Sequence, residues 1–352
     1  MAYKNIIKKY DDTENDKKGI EIAGRDVVQL NAPEVLLSPD TPLLTKAQDV
    51  AGAINELFQL DPGGGDEDWQ PPDWWISVPE PAPYEIYFLI EVTETTQPNP
   101  NMQIFLCDPE TGNLDVGPLT VDWGDGTIMY AYDGGAQSWY EATRHTYTET
   151  GQFLIKITAT KQSCQLYYMQ CYYSNRTDFP AILIAKLGSE IRIHGERNYG
   201  NRIFTNQYKL HWIKLSGKGG LPTNSAFYNC YVLQRFDIDI LPEVIPENCF
   251  LNCRSLKKFD FSKVKEIQSY SLQNTAFTKL DLPECISIGA YAAEYDYQLG
   301  EINAPLCKSV GSGGFAYCTA LDRVVFADDC TFGASCFINC YSLYPRPDGS
   351  TI

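Results

Sequence analysis

The segment CFLNCRSLKKFDFSKV, residues 249–264, defines a sequence repeat, because its pattern of apolar residues returns along the C-terminal half of the chain. Equivalents of Leu256 recur every 21 to 23 residues, at Leu210, Leu233, Leu256, Phe277, Leu299, Leu321 and Leu343. An aromatic residue stands six positions earlier in most units, at Phe204, Phe227, Phe250, Phe315 and Phe337. A unit of this length cannot bury its apolar face alone, so the pattern predicts units stacked as a solenoid, with these residues in its core.

The cysteines follow the same repeat. Cys230, Cys253, Cys318 and Cys340 share one position, Cys249 and Cys336 a second, and Cys285 and Cys307 a third. Stacking places such residues in a line, one per unit, whereas a zinc site needs four converging ligands. We therefore predict a ladder of buried free thiols. Disulfides between neighbouring units, about 4.8 Å apart, rank second, and a metal site ranks last.

The repeat carries a resemblance to a known family. The run F-x-N-C-x-x-L at 227–233, 250–256 and 337–343 resembles BspA-like leucine-rich repeats. The resemblance covers residues 204–352 and implies a leucine-rich repeat solenoid. We expect residues 163–203 to form a connector and a cap for it.

Residues 84–162 read as short strands separated by turns. VDWGDGT at 121–127, followed by HTYTETGQFLIKIT at 145–158, resembles the PKD-type domain, which implies an immunoglobulin-like β-sandwich. Asp125 and Gly126 form a hairpin-turn dipeptide. The alternative for this loop is a Ca²⁺ site with Asp122 and Asp125 as ligands.

The N-terminal region, residues 1–66, contains one predicted helix at 46–59. Its apolar seam has heptad spacing and comprises Ala47, Val50, Ile54 and Leu57. The segment LLTKAQDVAGAINELFQLDPGGG is similar to segments near the N-termini of phage tail and head-fibre proteins. That resemblance implies attachment to other virion proteins and an oligomer, with a trimer favoured. Residues 67–83 form a Gly/Pro/Trp-rich linker whose tryptophans should pack on the next domain.

The predicted fold class is therefore mainly β and multidomain, with a short N-terminal helix region, a sandwich and a solenoid. A net charge of −17 disfavours nucleic acid as a partner. The sequence shows no catalytic motif and no nucleotide-binding fingerprint, so we expect a protein that is not an enzyme and uses no cofactor.

Two hypotheses for function remain. The first is a bacteriophage virion protein (a fibre, spike or decoration protein) that displays binding modules for a glycan or protein of the host surface. It is favoured by the absence of a signal peptide and of a membrane-inserting segment, which predicts assembly in the host cytoplasm and a place on the virion surface. The alternative is a bacterial cell-surface adhesin. In either case Tyr291, Tyr295 and Tyr297 are candidates for the binding face.

Overall fold

The computed structural model describes residues 7–12, 17–22, 25–26, 69–93, 101–107, 119–131, 144–159, 165–170, 180–193, 204–217, 221 and 224–350. These residues form strands and turns and contain no helix, so the predicted mainly β class is confirmed for this part of the chain. The predicted helix at 46–59, with Ala47, Val50, Ile54 and Leu57, lies outside the described residues. By contacts the chain divides into two units, Met1–Glu67 and Asp68–Ile352.

The first unit contains a small antiparallel sheet. Its strands are β1 (Ile7–Asp12), β2 (Lys17–Ile22) and β3 (Arg25–Asp26), in that order across the sheet. Ile7 lies opposite Ile22, and Asp12 lies opposite Lys17.

The second unit begins with nine strands: β4 (Glu85–Val92), β5 (Asn101–Cys107), β6 (Leu119–Asp122), β7 (Ile128–Ala131), β8 (Arg144–Thr146), β9 (Gly151–Ala159), β10 (Gln165–Gln170), β11 (Ala181–Leu187) and β12 (Arg192–Ile193). Strands β12, β10, β5 and β8 form one sheet, and β11, β4, β9, β6 and β7 lie side by side in another. Val121, Trp123 and Tyr147 are buried beside the second sheet. The immunoglobulin-like identity of this region remains a prediction.

Three of these strands lie beyond the range predicted for the sandwich. Strands β10, β11 and β12 fall within residues 163–203, where we expected a connector and cap. In the structure β10 pairs with β5 and β11 pairs with β4, both antiparallel. This region therefore contributes strands to both sheets.

The solenoid follows. Its strands are β13 (Trp212–Leu215), β14 (Arg235–Ile238), β15 (Val244–Ile245), β16 (Glu266–Ile267), β17 (Lys279–Asp281), β18 (Ser287–Ile288), β19 (Glu301–Ala304), β20 (Ser309–Val310), β21 (Arg323–Phe326) and β22 (Thr331–Phe332). We number its coils 1 to 7 by the aligned residues Leu210 to Leu343. Each of coils 2, 4, 5 and 6 has two short strands joined by turns, and equivalent strands of neighbouring coils pair in parallel.

The first two coils continue the sheet of the preceding region. Strand β13 pairs in parallel with β11, and β14 pairs with β13, so one sheet of seven strands runs from β7 to β14. In coil 3 residues 257–261 are not a strand, and a separate sheet of β17, β19 and β21 begins in coil 4.

All ten residues predicted for the repeat core are buried: Leu210, Leu233, Leu256, Phe277, Leu299, Leu321, Phe227, Phe250, Phe315 and Phe337. Phe204, Phe227 and Phe250 stack nearly parallel, with ring centroids 5.6 Å apart. Leu272 and Ala293 occupy the same position in coils 4 and 5, and the stack resumes between Phe315 and Phe337 at 5.8 Å. The core thus contains a column of stacked phenylalanine rings that is interrupted in coils 4 and 5 by the aliphatic side chains of Leu272 and Ala293.

Candidate functional site

The recurring cysteines form hydrogen bonds between neighbouring coils of the solenoid. Cys230 donates a hydrogen bond to the carbonyl of Phe204 in the preceding coil (3.0 Å), and Cys253 donates to that of Phe227 (3.2 Å). Cys318 and Cys340 repeat the contact at 3.1 and 3.0 Å. The thiol is small enough for the core and satisfies a buried carbonyl, which accounts for its recurrence.

The nine cysteines between residues 230 and 340 are unpaired thiols, in agreement with the predicted ladder. Burial raises the pKa of Cys253 well above its usual value and that of Cys285 to about 12, so both stay protonated at neutral pH. Among the residues that the structure describes, no group of three or more His, Cys, Asp or Glu side chains could hold a metal ion. No helix in this part of the chain is long and apolar enough to cross a membrane.

The asparagine of the repeat forms a ladder of its own. Asn206, Asn229, Asn252 and Asn274 have φ between 58° and 64°, the left-handed region that asparagine tolerates. The amide of each donates to the Oδ1 of the asparagine before it, at 2.7 to 2.8 Å. The ladder ends at Asn274, whose Oδ1 has no partner, because coil 5 carries Tyr295 at this position.

The predicted linker forms a strap, residues 69–80, over one face of the seven-stranded sheet. Trp69 stacks on His211 (ring centroids 5.3 Å apart), and Trp75 meets the same ring edge-on at 5.2 Å. The buried Lys186 ammonium donates to the carbonyl of Val78 and to a carboxylate oxygen of Glu80, both at 2.9 Å. The strap is therefore held by both apolar and ionic contacts.

Burial in this site lowers the pKa of His211 to about 4. The nearby Lys209 lowers the pKa further and Glu91 opposes it, while these two form an ion pair of 2.7 Å. His211 is therefore neutral at physiological pH, as its place between two indole rings requires.

Beyond the strap, the corresponding side of the solenoid is uncovered, and its side chains are exposed or half-buried. We call this the open face. It comprises Arg235, Asp237, Lys258, Asp260, Lys279, Asp281, Glu301, Asn303, Arg323 and Val325, whose neighbours in sequence, such as Phe236 and Leu280, point into the core. Trp212 joins the two regions, because the Lys186 ammonium and the Arg235 guanidinium both lie over its ring, at 4.2 and 4.1 Å.

Charges on the open face are paired within and across coils. Arg235 pairs with Asp237 at 2.9 Å, and Glu301 accepts from both Lys279 (3.1 Å) and Arg323 (2.9 Å). Arg323 is 73% exposed, so its ion pair is solvated and exchanges easily with a partner's groups. The face therefore presents ordered charges of both signs, close to neutral in sum, on a chain whose net charge is −17.

The turn side of the solenoid holds the predicted tyrosines. Tyr291 stacks on Tyr270, with ring centroids 5.2 Å apart, whereas the rings of Tyr295 and Tyr317 lie 4.7 Å apart and are tilted by 30°. All four rings are partly exposed. Tyr297 is 4% exposed and therefore belongs to the core rather than to the surface.

The two candidate calcium ligands take part in the local turn. An oxygen of Asp122 accepts from the amide of Gly124, and one of Asp125 accepts from that of Thr127, both at 3.0 Å. The second oxygen of Asp125 lies 2.6 Å from Nε2 of His145. Burial alone would raise the pKa of Asp125, but the hydrogen bonds from Thr127 and His145 hold it below its usual value. Both carboxylates thus have structural partners.

Sequence reasoning missed two features of this surface. The sequence predicted that the linker tryptophans pack on the next domain, as Trp69 and Trp75 do, but nothing in it indicated His211 as their partner. The left-handed tyrosines carried a signal, because they stand at positions where other coils have asparagine, serine or glycine.

Comparison with known proteins agrees with the repeat. Residues 222–344 match the family described as BspA type Leucine rich repeat region, in six copies, so this part of the chain carries BspA-type leucine-rich repeats. The match begins one coil later than the unit aligned on Leu210. None of the curated proteins matches the chain.

Three solved structures are similar over about half of the chain. The leucine rich repeat protein TpLRR of T. pallidum is 19% identical, with 52% of this chain and 84% of that chain covered and a TM-score of 0.40. A leucine rich cell surface protein from Faecalibacterium prausnitzii is 17% identical (52% and 49% covered, TM-score 0.36). A leucine-rich repeat protein from Bacteroides ovatus is 15% identical (50% and 52% covered, TM-score 0.33). The chain thus spans about half the length of the latter two.

Proposed function

We propose that this protein is a non-enzymatic, adhesin-like binding protein whose solenoid holds a cell-surface partner on its open face. The proposal is supported by a difference in exposure between the seven-stranded sheet and the coils that follow it. The strap covers one face of that sheet at β4, β11 and β13, whereas Lys258, Lys279 and Arg323 in the later coils are exposed. The BspA-type repeats at 222–344 support a role in binding.

The charge pattern favours a partner with its own charged groups. Exposed ion pairs contribute about 0 to 1 kcal/mol each, so replacing them by contacts with a partner costs little. Ordered charges of both signs give such a contact its specificity and orientation. A host glycan or protein remains the proposed partner.

The two hypotheses differ in where the binding surface is displayed, on a virion or on a bacterial cell. The virion hypothesis rests on residues 1–66, whose predicted helix lies outside the described residues, and the repeat match favours the adhesin alternative. Display on a virion, attachment through residues 1–66 and a trimeric state are kept as the second proposal. Detection of the chain in purified phage particles would support it, and detection only on bacterial cell surfaces would refute it.

The test is equilibrium binding of the fluorescently labelled full chain to intact epithelial and bacterial cells. We expect saturable binding that weakens at least tenfold when Lys258, Lys279 and Arg323 are all replaced by alanine. The chain offers a matched control in Lys263, Lys265 and Lys308, which form exposed ion pairs between coils away from the open face. Replacing these three by alanine should leave binding unchanged. Equal effects of the two triple variants would contradict the proposal.

A further inference from the structure

A second surface of the solenoid carries four tyrosines in an unusual backbone conformation. Tyr270, Tyr291, Tyr295 and Tyr317, which we call the tyrosine cluster, have φ of 58°, 55°, 64° and 64°. Bulky side chains are rare in this left-handed region, because Cβ crowds the following carbonyl. The conformation itself belongs to the repeat, since other coils adopt it at the same two positions.

Those other coils use residues that suit it. Ser225, Asn248, Gly313 and Ser335 share the position of Tyr270 and Tyr291, while five asparagines share that of Tyr295 and Tyr317: Asn206, Asn229, Asn252, Asn274 and Asn339. Tyrosine thus replaces a favourable residue four times, always in coils 4 to 6. Unfavourable backbone conformations that recur in one place are typical of functional sites.

The neighbouring coil is shaped to accept these rings. A Cβ added at Gly313 would lie 2.5 Å from the Tyr291 ring, so a glycine is needed for that ring to lie over coil 6. Between the two tyrosine pairs, Glu294 accepts a hydrogen bond from the amide of Gln273 and interacts with Tyr295. The surface therefore combines ring faces with an amide and a carboxyl group.

We propose that the tyrosine cluster binds the sugar rings of an uncharged glycan. Ring faces of tyrosine suit the C–H faces of a sugar, and amide and carboxyl groups exchange hydrogen bonds with hydroxyls. Glu294 disfavours an acidic glycan, because its carboxylate would repel it. This site is separate from the open face, so either can fail without the other.

The test uses the full chain on a microarray of neutral and acidic oligosaccharides, followed by calorimetric titration with the neutral one that is best retained. We expect retention of neutral oligosaccharides and at least a tenfold loss of affinity when all four tyrosines are replaced by asparagine. Asparagine occupies the second of these positions in five other coils, so the variant should fold, which its thermal midpoint will show.

Single variants keep the proposal testable if the quadruple variant is unstable. Tyr291→Asn and Tyr317→Asn each remove one ring from one of the two tyrosine pairs and should each weaken glycan binding severalfold. The control is Tyr344→Asn, a residue that is 81% exposed and outside the cluster, and it should bind like the parent. Absence of any retained neutral oligosaccharide, or unchanged affinity in the cluster variants, would overturn the proposal while leaving the open face untested by this experiment.

Discussion

At the scale of single residues, each letter of the repeated F-x-N-C-x-x-L run has a physical task. The phenylalanine fills the core, the asparagine permits the left-handed turn, and the cysteine donates to a carbonyl of the previous coil. The sequence predicted that the cysteines form a ladder, because their spacing follows the coils. It could not predict the amide ladder, because hydrogen bonds between equivalent side chains depend on how closely successive turns stack.

The asparagine ladder can be tested at Asn252. Replacement by alanine removes two amide hydrogen bonds, which contribute about 1 kcal/mol each. It also leaves alanine in the left-handed conformation at φ 64°, without the side-chain hydrogen bonds that make this conformation tolerable for asparagine, which costs about 1 kcal/mol more. We expect Asn252→Ala to lower the free energy of unfolding by about 3 kcal/mol and Asn252→Gly by about 2 kcal/mol. Urea denaturation measures both. A glycine variant as stable as the parent would show that the ladder contributes nothing.

In coil 5, Asp296 occupies the position that cysteine occupies in coils 2, 3, 6 and 7. It is fully buried and accepts from the amide of Thr275 (2.6 Å), and its second oxygen lies 2.9 Å from the Thr275 hydroxyl. Burial raises the pKa of its carboxyl well above the usual value, although the hydrogen bonds from Thr275 oppose the rise; Cys318 lies close enough to interact. Because the pKa of the Asp296 carboxyl is higher in the folded than in the unfolded protein, its contribution to the free energy of unfolding is fully present below the unfolded-state pKa. That contribution is lost as pH rises through the folded-state pKa.

Replacing Asp296 by asparagine should therefore stabilise the protein at neutral pH. The amide can keep both contacts with Thr275 and carries no charge. Thermal midpoints between pH 4 and 8 should fall with pH more steeply in the parent than in Asp296→Asn. If the thermal midpoints of the parent and of Asp296→Asn change equally with pH, the raised pKa assigned to Asp296 is contradicted.

At the scale of elements, the strap shows what the sequence predicts and what it does not. Three tryptophans in a Gly/Pro-rich segment indicated packing on the next domain, and Trp69 and Trp75 do pack there. Trp74 is 73% exposed, however, because it lies in a turn that is closed by the hydrogen bond from the Trp75 amide to the Pro72 carbonyl (2.9 Å). The shortened unit at coil 4 was visible as an interval of 21 residues, but the interruption of the sheet in coil 3 depends on backbone pairing, which spacing does not reveal.

The strap should loosen in acid. The pKa of His211 is lowered to about 4 from an ordinary 6.5, so its contribution is present above pH 6.5 and is lost as pH falls towards 4. The loss amounts to about 3 kcal/mol at most. Tryptophan fluorescence should report the change between pH 7 and 4, and His211→Phe, which keeps an aromatic ring, should abolish it. If the His211→Phe variant shows the same fluorescence change, protonation of His211 is not its cause.

At the scale of the whole molecule, one sheet joins the region of β4 to β11 with the first two coils. The sequence predicted the solenoid well, because a repeat multiplies a weak local signal, and the residues aligned on Leu256 are buried throughout. It predicted a separate connector at 163–203, where the structure has strands of both sheets. Pairing between strands distant in sequence leaves no periodic signal, so spacing could not reveal it.

The thiols offer a global test of this core. Burial raises the pKa of the Cys253, Cys330 and Cys336 thiols, but Cys253 and Cys336 are fully buried, whereas Cys330 is partly exposed. In the native protein we expect iodoacetamide to label Cys330 at least tenfold faster than Cys253, as followed by mass spectrometry of peptides. Equal rates would show that the coils open far more readily than a packed solenoid allows.

If the ordered charges of the open face hold the partner, binding must weaken when salt screens those charges. The most direct measurement is the affinity of the labelled chain for cells at 50 and 500 mM salt, for the parent and for the variant with alanine at Lys258, Lys279 and Arg323. We expect salt to weaken binding of the parent severalfold and to have little effect on the variant, because screening acts on charges that the variant lacks. The same dependence on salt in both proteins would contradict that role of the charges.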